Sequence, residues 1–251
     1  MQATVRVTGL EQGYGHIKVL NGLDFDLRTG VFGLLGPNGA GKSTLLRTLA
    51  TILPPRRGSI EIAGVPVDSE RSARMARRDI GYLPQDFGYL PGFTVYDFVR
   101  YCAWLREVPA RRAHKDALDA IARVNLQTRQ KAKLKSLSGG MLQRAGIASA
   151  LVGSPKLVIL DEPTVGLDPA QRLEFRELIR SLVDTTVILS THLVEDISVL
   201  GGEVAVMNHG AFPFRGSAEE LRRIAAPGAV GDTDLERGYM TALAGDKVAA
   251  A

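Results

Sequence analysis

The sequence of 251 residues contains a single cysteine, Cys102, and no long apolar run. A lone cysteine excludes an internal disulfide, is compatible with a reducing compartment, and is expected to be buried inside a helix. Apolar runs such as LVIL before Asp161 are far shorter than the roughly 20 residues that span a bilayer. The first residues show no basic segment followed by an apolar one, so we expect no secretion signal. These absences favour a cytoplasmic globular protein.

Basic residues exceed acidic ones, giving a formal net charge of +4, and the excess is concentrated in segments 56–79 and 111–135. Acidic residues interrupt both segments, and no aromatic residues alternate with the basic ones to stack on bases. A solvated surface is the favoured interpretation of these segments, an anionic membrane surface is the alternative, and nucleic acid is the least favoured partner. Charge alone therefore does not assign a function.

The pattern of apolar residues predicts an α/β chain. ATVRVTGL and KVLNGLDFDL alternate as strands do, GSIEIAGVPV predicts a hairpin around Ala63 and Gly64, and EVAVMNHGAFPFRG predicts another with its turn at 208–210. PKLVILDEP and TTVILSTH each contain a short apolar run typical of a buried strand. Between about 86 and 150 the pattern becomes helical, with one apolar face formed by Val95, Phe98, Cys102 and Leu105.

These features predict a core of residues 1–85 and 151–225, interrupted by a helical subdomain at 86–150. Residues 226–251 are expected to form a C-terminal tail, because they are rich in Gly and Ala and have little periodicity before LERGYMTAL. The sequence shows no internal repeats, and each chemical motif occurs once.

A glycine-rich segment, GPNGAGKST, follows an apolar strand and leads into a helix that is expected to begin near Lys42. Its glycines allow successive backbone amides to face phosphate oxygens, and the lysine adds a positive charge for the β- and γ-phosphates. We predict that a nucleoside triphosphate binds this segment, which consists of Gly36, Pro37, Asn38, Gly39, Ala40, Gly41, Lys42, Ser43 and Thr44.

Two carboxylates, Asp161 and Glu162, end the apolar strand PKLVIL. Because the strand is apolar on both faces, we place it in the centre of the sheet, with Asp161 emerging near the Gly36 segment. Asp161 is predicted to hold Mg²⁺ through water, together with the hydroxyl of Ser43. Glu162 would face the γ-phosphate and position or polarise the attacking water.

A second glycine pair occurs in SLSGGMLQR, which has no lysine to complete a phosphate site of its own. Together with the phosphate loop and the Asp-Glu pair, this segment resembles the nucleotide-binding subunit of ATP-binding cassette (ABC) transporters, over residues from Val5 to about Leu221. The resemblance implies a P-loop NTPase fold with a mixed sheet core, an N-terminal antiparallel β-region and a helical insert. It also implies that Ser138, Gly139 and Gly140 cap an ATP held by the opposite subunit of a head-to-tail dimer. Met141 replaces the family's usual glutamine, and we expect this to alter affinity or rate without loss of function.

Further matches to the family pattern occur in the family's order. The resemblance implies that Gln85 senses Mg²⁺ and the attacking water, that Asp168 in GLDP crosses the dimer interface, and that His192 contacts the γ-phosphate. It also implies that Tyr14 stacks on adenine, with Val19 packing beneath the ring.

The resemblance predicts a Mg²⁺-dependent ATP hydrolase whose partners are an integral membrane permease subunit and a second cassette, which we expect to be identical. The chain from His192 onward is similar to exporter subunits of the ABC-2 type, and it would be peripheral on the cytoplasmic face of the membrane. An importer's energising subunit and a soluble ABC ATPase acting on nucleic acid or ribosomes are the alternatives. A groove for the membrane subunit is expected after Gln85, although its aromatic residues would equally suit the insert's own core. The groove residues are Phe87, Tyr89, Leu90 and Phe93.

Overall fold

The computed structural model describes residues 3–191 and 194–245, which form two sheets and a set of helices around them. The smaller sheet has the strand order β2-β1-β4-β5. Its strands pair antiparallel wherever they neighbour one another. Their bounds are β1 Val5–Tyr14, β2 Ile17–Leu27, β4 Arg57–Ile62 and β5 Val65–Pro66. This sheet is the predicted N-terminal antiparallel region, and it confirms that part of the fold.

The larger sheet has the strand order β10-β9-β3-β8-β7-β6. The five strands from β9 to β6 are parallel, and only β10 runs antiparallel to its neighbour. The bounds are β3 Gly30–Leu35, β6 Ile80–Leu83, β7 Leu157–Asp161, β8 Thr186–Ser190, β9 Glu203–Asn208 and β10 Ala211–Ser217. The carboxyl ends of the parallel strands meet at one edge, where α/β proteins form their binding sites.

Helices connect these strands and cover both faces of the larger sheet. Their bounds are α1 Lys42–Leu49, α2 Glu70–Arg77, α3 Val95–Leu105, α4 Ala110–Arg123, α5 Gly139–Leu151, α6 Pro169–Arg180, α7 Val194–Leu200, α8 Ala218–Arg223 and α9 Asp234–Gly245. Short 3₁₀ turns occur at Gln127–Arg129 and Leu134–Ser136. Within the described ranges, none of these helices combines the length and apolar character needed to cross a membrane.

Both predicted hairpins are confirmed, and their turns have a local cause. Ala63 and Gly64 have φ values of 52° and 83°, the left-handed pair that a two-residue hairpin requires. His209 and Gly210 repeat the arrangement at the second hairpin, with φ values of 45° and 78°. Strands β7 and β8 are buried along their whole length, which explains why their sequences are continuously apolar instead of alternating.

Two apolar clusters lie on opposite faces of the larger sheet. One contains α1 and the inner face of the antiparallel sheet. The other contains side chains from α3 to α7 and from α9. The C-terminal helix α9 packs on α8, and a Cβ added to Gly238 would lie 1.8 Å from the carbonyl oxygen of Leu221. Part of the expected tail is thus helical and packed on the core.

The apolar face of α3 differs from the sequence pattern in its last turn. Val95 and Phe98 are buried as expected, and the buried face continues through Val99 and Ala103. Cys102 is half-buried, and burial raises the pKa of its thiol. Leu105, the last residue of the helix, is 55% exposed. The helix therefore turns a different face to the core than the pattern of large apolar residues indicates.

Candidate nucleotide-binding site

The glycine-rich segment forms a loop between the carboxyl end of β3 and the first turn of α1. Gly39 and Gly41 have φ values of 80° and 109°, in the region that favours glycine, and so the loop curls back on itself. Gly41 precedes α1 and has no side chain to cap the helix. The first amides of α1 are thus left for an anion, and the helix dipole favours a negative charge at this point.

Lys42 is buried at the start of α1, and its ammonium group is held by the loop that precedes it. Its Nζ donates to the carbonyl oxygen of Gly36 at 2.6 Å and to that of Pro37 at 3.2 Å. Burial lowers the pKa of Lys42, and the charges of Glu162 and Asp161 act in the opposite direction. The lysine is therefore aimed across the mouth of the loop, where phosphate oxygens would replace the two carbonyl groups as its partners.

The two carboxylates lie at the carboxyl end of β7, as the sequence predicts. The Oδ1 of Asp161 accepts a hydrogen bond from the Oγ of Ser190 at 2.5 Å. Glu162 has a φ of 52°, an unusual conformation for a residue with a side chain, which turns the chain sharply after the strand. Its amide donates to the Oγ of Ser190 at 2.9 Å and to the carbonyl oxygen of the same residue at 3.2 Å. One residue at the end of β8 thus binds the carboxylate of Asp161 and the backbone of Glu162.

These elements enclose a cleft of about 860 Å³ at the carboxyl edge of the larger sheet. The cleft brings together every residue of the glycine-rich segment with Gln85, Asp161 and Glu162, as predicted. Val19 also lines it, as expected for a residue near the base. Two residues that the sequence did not indicate complete the lining, Val165 and Tyr239. His192 lies outside the described residues, so its predicted contact with the γ-phosphate stays a prediction.

Tyr14 is not among the residues that line the cleft. It ends β1 with 46% of its surface exposed. Its phenol forms a hydrogen bond with the side chain of Arg47 in α1. Burial alone would lower the pKa of Arg47, but its interactions with Tyr14 and Tyr82 act in the opposite direction, and the pKa is raised. Stacking of Tyr14 on a base stays a prediction.

The segment SLSGGMLQR, residues 136–144, is called the signature segment below, and its residues do not line the cleft of their own chain. Ser138 caps α5, and its Oγ accepts a hydrogen bond from the amide of Met141 at 3.3 Å. Ser138 and Gly139 are exposed, whereas Gly140 is buried. A Cβ added to Gly140 would lie 2.3 Å from the Oε1 of Gln171 in α6. The second glycine therefore permits close packing, whereas Ser138 and Gly139 at the start of α5 face solvent.

Asp168 has a local structural role, and its contact across the dimer interface stays a prediction. It is exposed and caps α6, and its Oδ1 accepts a hydrogen bond from the amide of Gln171 at 2.9 Å. Gln171 thus touches both the cap of α6 and the first turn of α5. The turn at Asp168 and the signature segment are therefore neighbours on the surface of the molecule.

The sequence analysis missed two polar residues that organise the site. Ser190 is the last residue of a predicted strand, and a polar residue at that position is the signal that could have identified it. Gln143 lies one turn into α5, and its Nε2 donates to the carbonyl oxygen of Pro163 at 3.1 Å. Because Pro163 directly follows Glu162, this bond connects the signature helix to the turn that carries the second carboxylate.

The donor atoms at the cleft suit Mg²⁺ bound together with a nucleotide. The hydroxyl of Ser43, the amide oxygen of Gln85 and the carboxylate of Asp161 line the same cleft and are oxygen ligands, which Mg²⁺ prefers. In residues 3–191 and 194–245 there is no group of three or more His, Cys, Asp or Glu side chains that could hold a metal. Mg²⁺ is usually bound by few protein ligands, and phosphate oxygens complete its coordination.

Comparison with known proteins gives consistent matches. The family model described as "ABC transporter" matches residues 20–165. The chain is 38% identical to the daunorubicin resistance ATP-binding protein DrrA3 of Streptomyces coeruleorubidus, covering 87% of this chain and 69% of that protein. It is 36% identical to the Nod factor export ATP-binding protein I of Ralstonia nicotianae, over 86% of this chain and 67% of that protein.

Solved structures give the same result. An ATP-binding subunit of an ABC transporter superposes with a TM-score of 0.83 at 25% identity, covering 95% of this chain and 99% of the other. The protein cbiO1 of Clostridium perfringens, part of the transporter complex cbiONQ, superposes with a TM-score of 0.77 at 29% identity. That match covers 89% of this chain and 95% of the other. The predicted architecture of sheet core, antiparallel region and helical insert is confirmed.

Proposed function

The chain belongs to the ABC transporter family, and we propose that it powers a membrane exporter by hydrolysing ATP. The observation that carries the proposal is the cleft, which combines a phosphate-binding loop, a buried lysine and two carboxylates at the carboxyl edge of one sheet. Nucleotide binding and ATP hydrolysis follow from the family. Export is supported by the relatives, whose names describe resistance to daunorubicin and export of Nod factor.

We infer that the triphosphate of ATP lies along the glycine-rich loop. The amides at the start of α1 and the ammonium group of Lys42 bind its oxygens, with Lys42 exchanging the two loop carbonyls for phosphate. Mg²⁺ bound near Ser43, Asp161 and Gln85 would neutralise charge on the phosphates. Glu162, fixed by its strained backbone and by Ser190, accepts the proton of the attacking water. Gln85 orients that water from the end of β6.

Two chains would act as a head-to-tail dimer. The exposed residues Ser138 and Gly139 at the start of α5 support this arrangement, because they do not line the cleft of their own chain and can face a phosphate on another molecule. Ser138, Gly139 and Gly140 would cap the partner's ATP. Asp168 borders the same surface and would contact the partner chain, and the sequence predicts that His192 contacts the γ-phosphate.

The surface of the helical subdomain supports docking of a membrane subunit. Phe87, Tyr89 and Phe93 pack partly into the core, so they shape the groove from below. The ring of Phe93 contacts that of Tyr101 at 5.9 Å between centroids, and Tyr101 stacks on Trp104 at the same distance. Leu90 and Trp104 are 56% and 68% exposed. Together these side chains form a continuous apolar surface that begins in the segment after β6.

We propose the following organisation for the chain in this role. Residues 1–85 and 151–225 form the ATP-binding core, residues 86–150 form the subdomain that receives the membrane subunit, and residues 226–251 form the C-terminal segment. The chain would lie on the cytoplasmic face of the membrane as a peripheral subunit. Several arginines of segment 56–79 already pair with Glu107 or Glu70, and this pairing favours the solvated-surface interpretation of that segment.

The proposal can be tested with tagged Glu162→Gln chain, which should hold ATP without hydrolysing it. The protein is added to detergent-solubilised membranes of the native cells, with Mg²⁺ and either ATP or ADP, and the proteins that co-purify are identified. We expect a polytopic membrane protein whose recovery differs between the two nucleotides. Trp104→Ala in the same background should reduce its recovery, whereas Val183→Ala, at an exposed apolar residue beyond α6, should not. Recovery of only soluble proteins or nucleic acid would overturn the transporter role.

A further inference from the structure

Tyr239 is the one residue of the C-terminal helix that lines the nucleotide cleft within the described part of the chain. It lies in the second turn of α9, nearly two hundred residues beyond the glycine-rich loop in the sequence. Its ring is half-buried and packs against the apolar cluster on the α7 face of the sheet. The C-terminal segment therefore contributes a side chain to a cleft that is otherwise formed by the core.

Tyr239 and Val19 approach the cleft from opposite faces of the larger sheet. Val19 packs in the cluster on the α1 face and lies against Gly41, with its Cγ1 3.3 Å from a Cβ added there. It therefore marks the end of the cleft at which α1 begins. Tyr239 reaches the cleft from the other face, because α9 packs on α7, β9 and β10.

The glycine-rich loop begins beside β9, the strand on which α9 packs. A Cβ added to Gly36 would lie 2.3 Å from the carbonyl oxygen of Met207 in β9, so β9 and the first loop residue are in close contact. In the sheet, β9 lies on one side of β3, and β8 and then β7 lie on the other. Tyr239 from the β9 side and Glu162 from the β7 side thus flank the loop. The ammonium group of Lys42, 2.6 Å from the carbonyl oxygen of Gly36, lies at this start of the loop, and the terminal phosphate would be held there.

The packing of α9 fixes the direction of the ring. Leu235 and Ala242 are buried on the same side of the helix, one turn before and one turn after Tyr239. Gly238 allows the helix to approach the carbonyl oxygen of Leu221 so closely that no side chain would fit. The ring is thus positioned by a packed element, and the cost of ordering it on nucleotide binding is small.

The chemistry of the phenol suits a phosphate. Burial raises the pKa of Tyr239, so its hydroxyl remains protonated at neutral pH and can donate a hydrogen bond. In the described residues no hydrogen bond to this hydroxyl is present. A terminal phosphate is rich in acceptor oxygens and has no donor of its own at neutral pH, so a neutral donor complements it without adding charge.

We propose that the Tyr239 hydroxyl donates a hydrogen bond to the terminal phosphate of bound ATP and thereby helps the cleft to distinguish ATP from ADP. The inference rests on the proposed nucleotide-binding role of the cleft. It assigns to α9 a direct contact with the ligand.

The test compares Tyr239→Phe with the unmodified full-length chain. This variant keeps the ring and its packing and removes only the hydroxyl. Dissociation constants for a non-hydrolysable ATP analogue, ADP and AMP are measured by calorimetry in the presence of Mg²⁺. We expect affinity for the ATP analogue to fall about tenfold, the usual effect of removing one hydrogen bond to a charged group, with the affinities for ADP and AMP unchanged.

Tyr96→Phe is the matched control, because it removes a hydroxyl that contacts only His114, on the surface of the helical subdomain. It should leave all three affinities unchanged. Equal weakening of ATP analogue and ADP by Tyr239→Phe, or no change in either, would overturn the inference. Failure of the unmodified chain to bind any of the three nucleotides would instead contradict the proposed function. Melting temperatures without nucleotide would show whether either substitution disturbs the fold.

Discussion

At the scale of single residues, the site depends on how Glu162 is held. Its φ of 52° is costly for a residue with a side chain, yet it directs the carboxylate into the cleft, and the amide of the same residue is fixed by Ser190. Fixed geometry of this kind matters for catalysis, because only interactions that strengthen in the transition state increase the rate. Glu162 and Lys42 should therefore respond differently to substitution.

We expect Glu162→Gln to retain ATP affinity within about threefold and to lower turnover by at least about a hundredfold, the typical contribution of a general base. The amide keeps the size of the side chain but cannot accept a proton. Lys42→Ala is the contrasting variant and should weaken ATP binding as well as turnover. Steady-state phosphate release together with equilibrium binding of ATP would separate the two effects. Near-normal turnover by Glu162→Gln would remove this residue from the reaction.

Ser190 offers a second test at the same scale. Ser190→Ala leaves the buried Oδ1 of Asp161 without its donor and the amide of Glu162 without one acceptor, so we expect a loss of about 1–3 kcal/mol in the free energy of unfolding. Turnover should fall further than ATP affinity, because Glu162 becomes less precisely placed. Ser149→Ala removes another buried hydroxyl, which bonds to the carbonyl oxygen of Gly146 and to the Cys102 thiol and does not line the cleft, and it should have a smaller effect. Chemical denaturation and ATPase assays of both variants would decide. Equal losses would show that Ser190 has no special role at the site.

At the scale of elements, the sequence predicted those parts of the fold in which a local motif determines the structure. The glycine-rich loop, the Asp-Glu pair and both hairpins are specified by a few adjacent residues, and all were predicted. The buried face of α3 was less predictable, because it uses Ala103 where the pattern indicated Leu105. Small residues are weak signals in a sequence, yet they decide which face of a helix approaches its neighbours. The role of Tyr239 could not be predicted either, since it depends on packing between distant segments.

The contact between α8 and α9 gives a prediction for this scale. Gly238→Ala adds a Cβ that would lie 1.8 Å from the carbonyl oxygen of Leu221, so the two helices must separate. We expect a loss of about 1–3 kcal/mol in stability, as for other overpacked sites. Gly245→Ala makes the same change in the same helix, at a position where nothing lies within 4 Å, and should be neutral or slightly stabilising. Thermal unfolding and amide exchange in α9 would measure both. Similar behaviour of the two variants would show that α9 is not held by this contact.

At the scale of the whole molecule, the two parts of the proposed ATP site are the cleft and the start of α5. They lie apart in one chain, yet a hydrogen bond connects the elements that carry them. The signature turn at Ser138 faces solvent, away from the cleft of its own chain. Gln143, one turn later in the same helix, bonds to Pro163 beside Glu162. A phosphate from a second molecule that binds at the start of α5 would therefore act on a helix already attached to the catalytic turn. This connection provides a physical route by which dimer formation can influence hydrolysis.

Ser138→Arg tests whether the signature acts between chains. The substitution places a bulky cation on an exposed turn that does not line the cleft, so ATP binding by the monomer should be unchanged within about twofold. Formation of an ATP-dependent dimer should be lost, because the long side chain occupies the position that the partner's phosphate needs. The experiment is best done in the Glu162→Gln background, where bound ATP persists, with mass measured by light scattering at several protein concentrations. Ser136→Arg is the matched control, because Ser136 is also exposed and lies two residues earlier, outside the helix cap; it should still dimerise. Loss of ATP binding by the Ser138→Arg monomer would show that the signature acts on the nucleotide of its own chain, and a stable dimer would show that the partner's phosphate does not approach this turn.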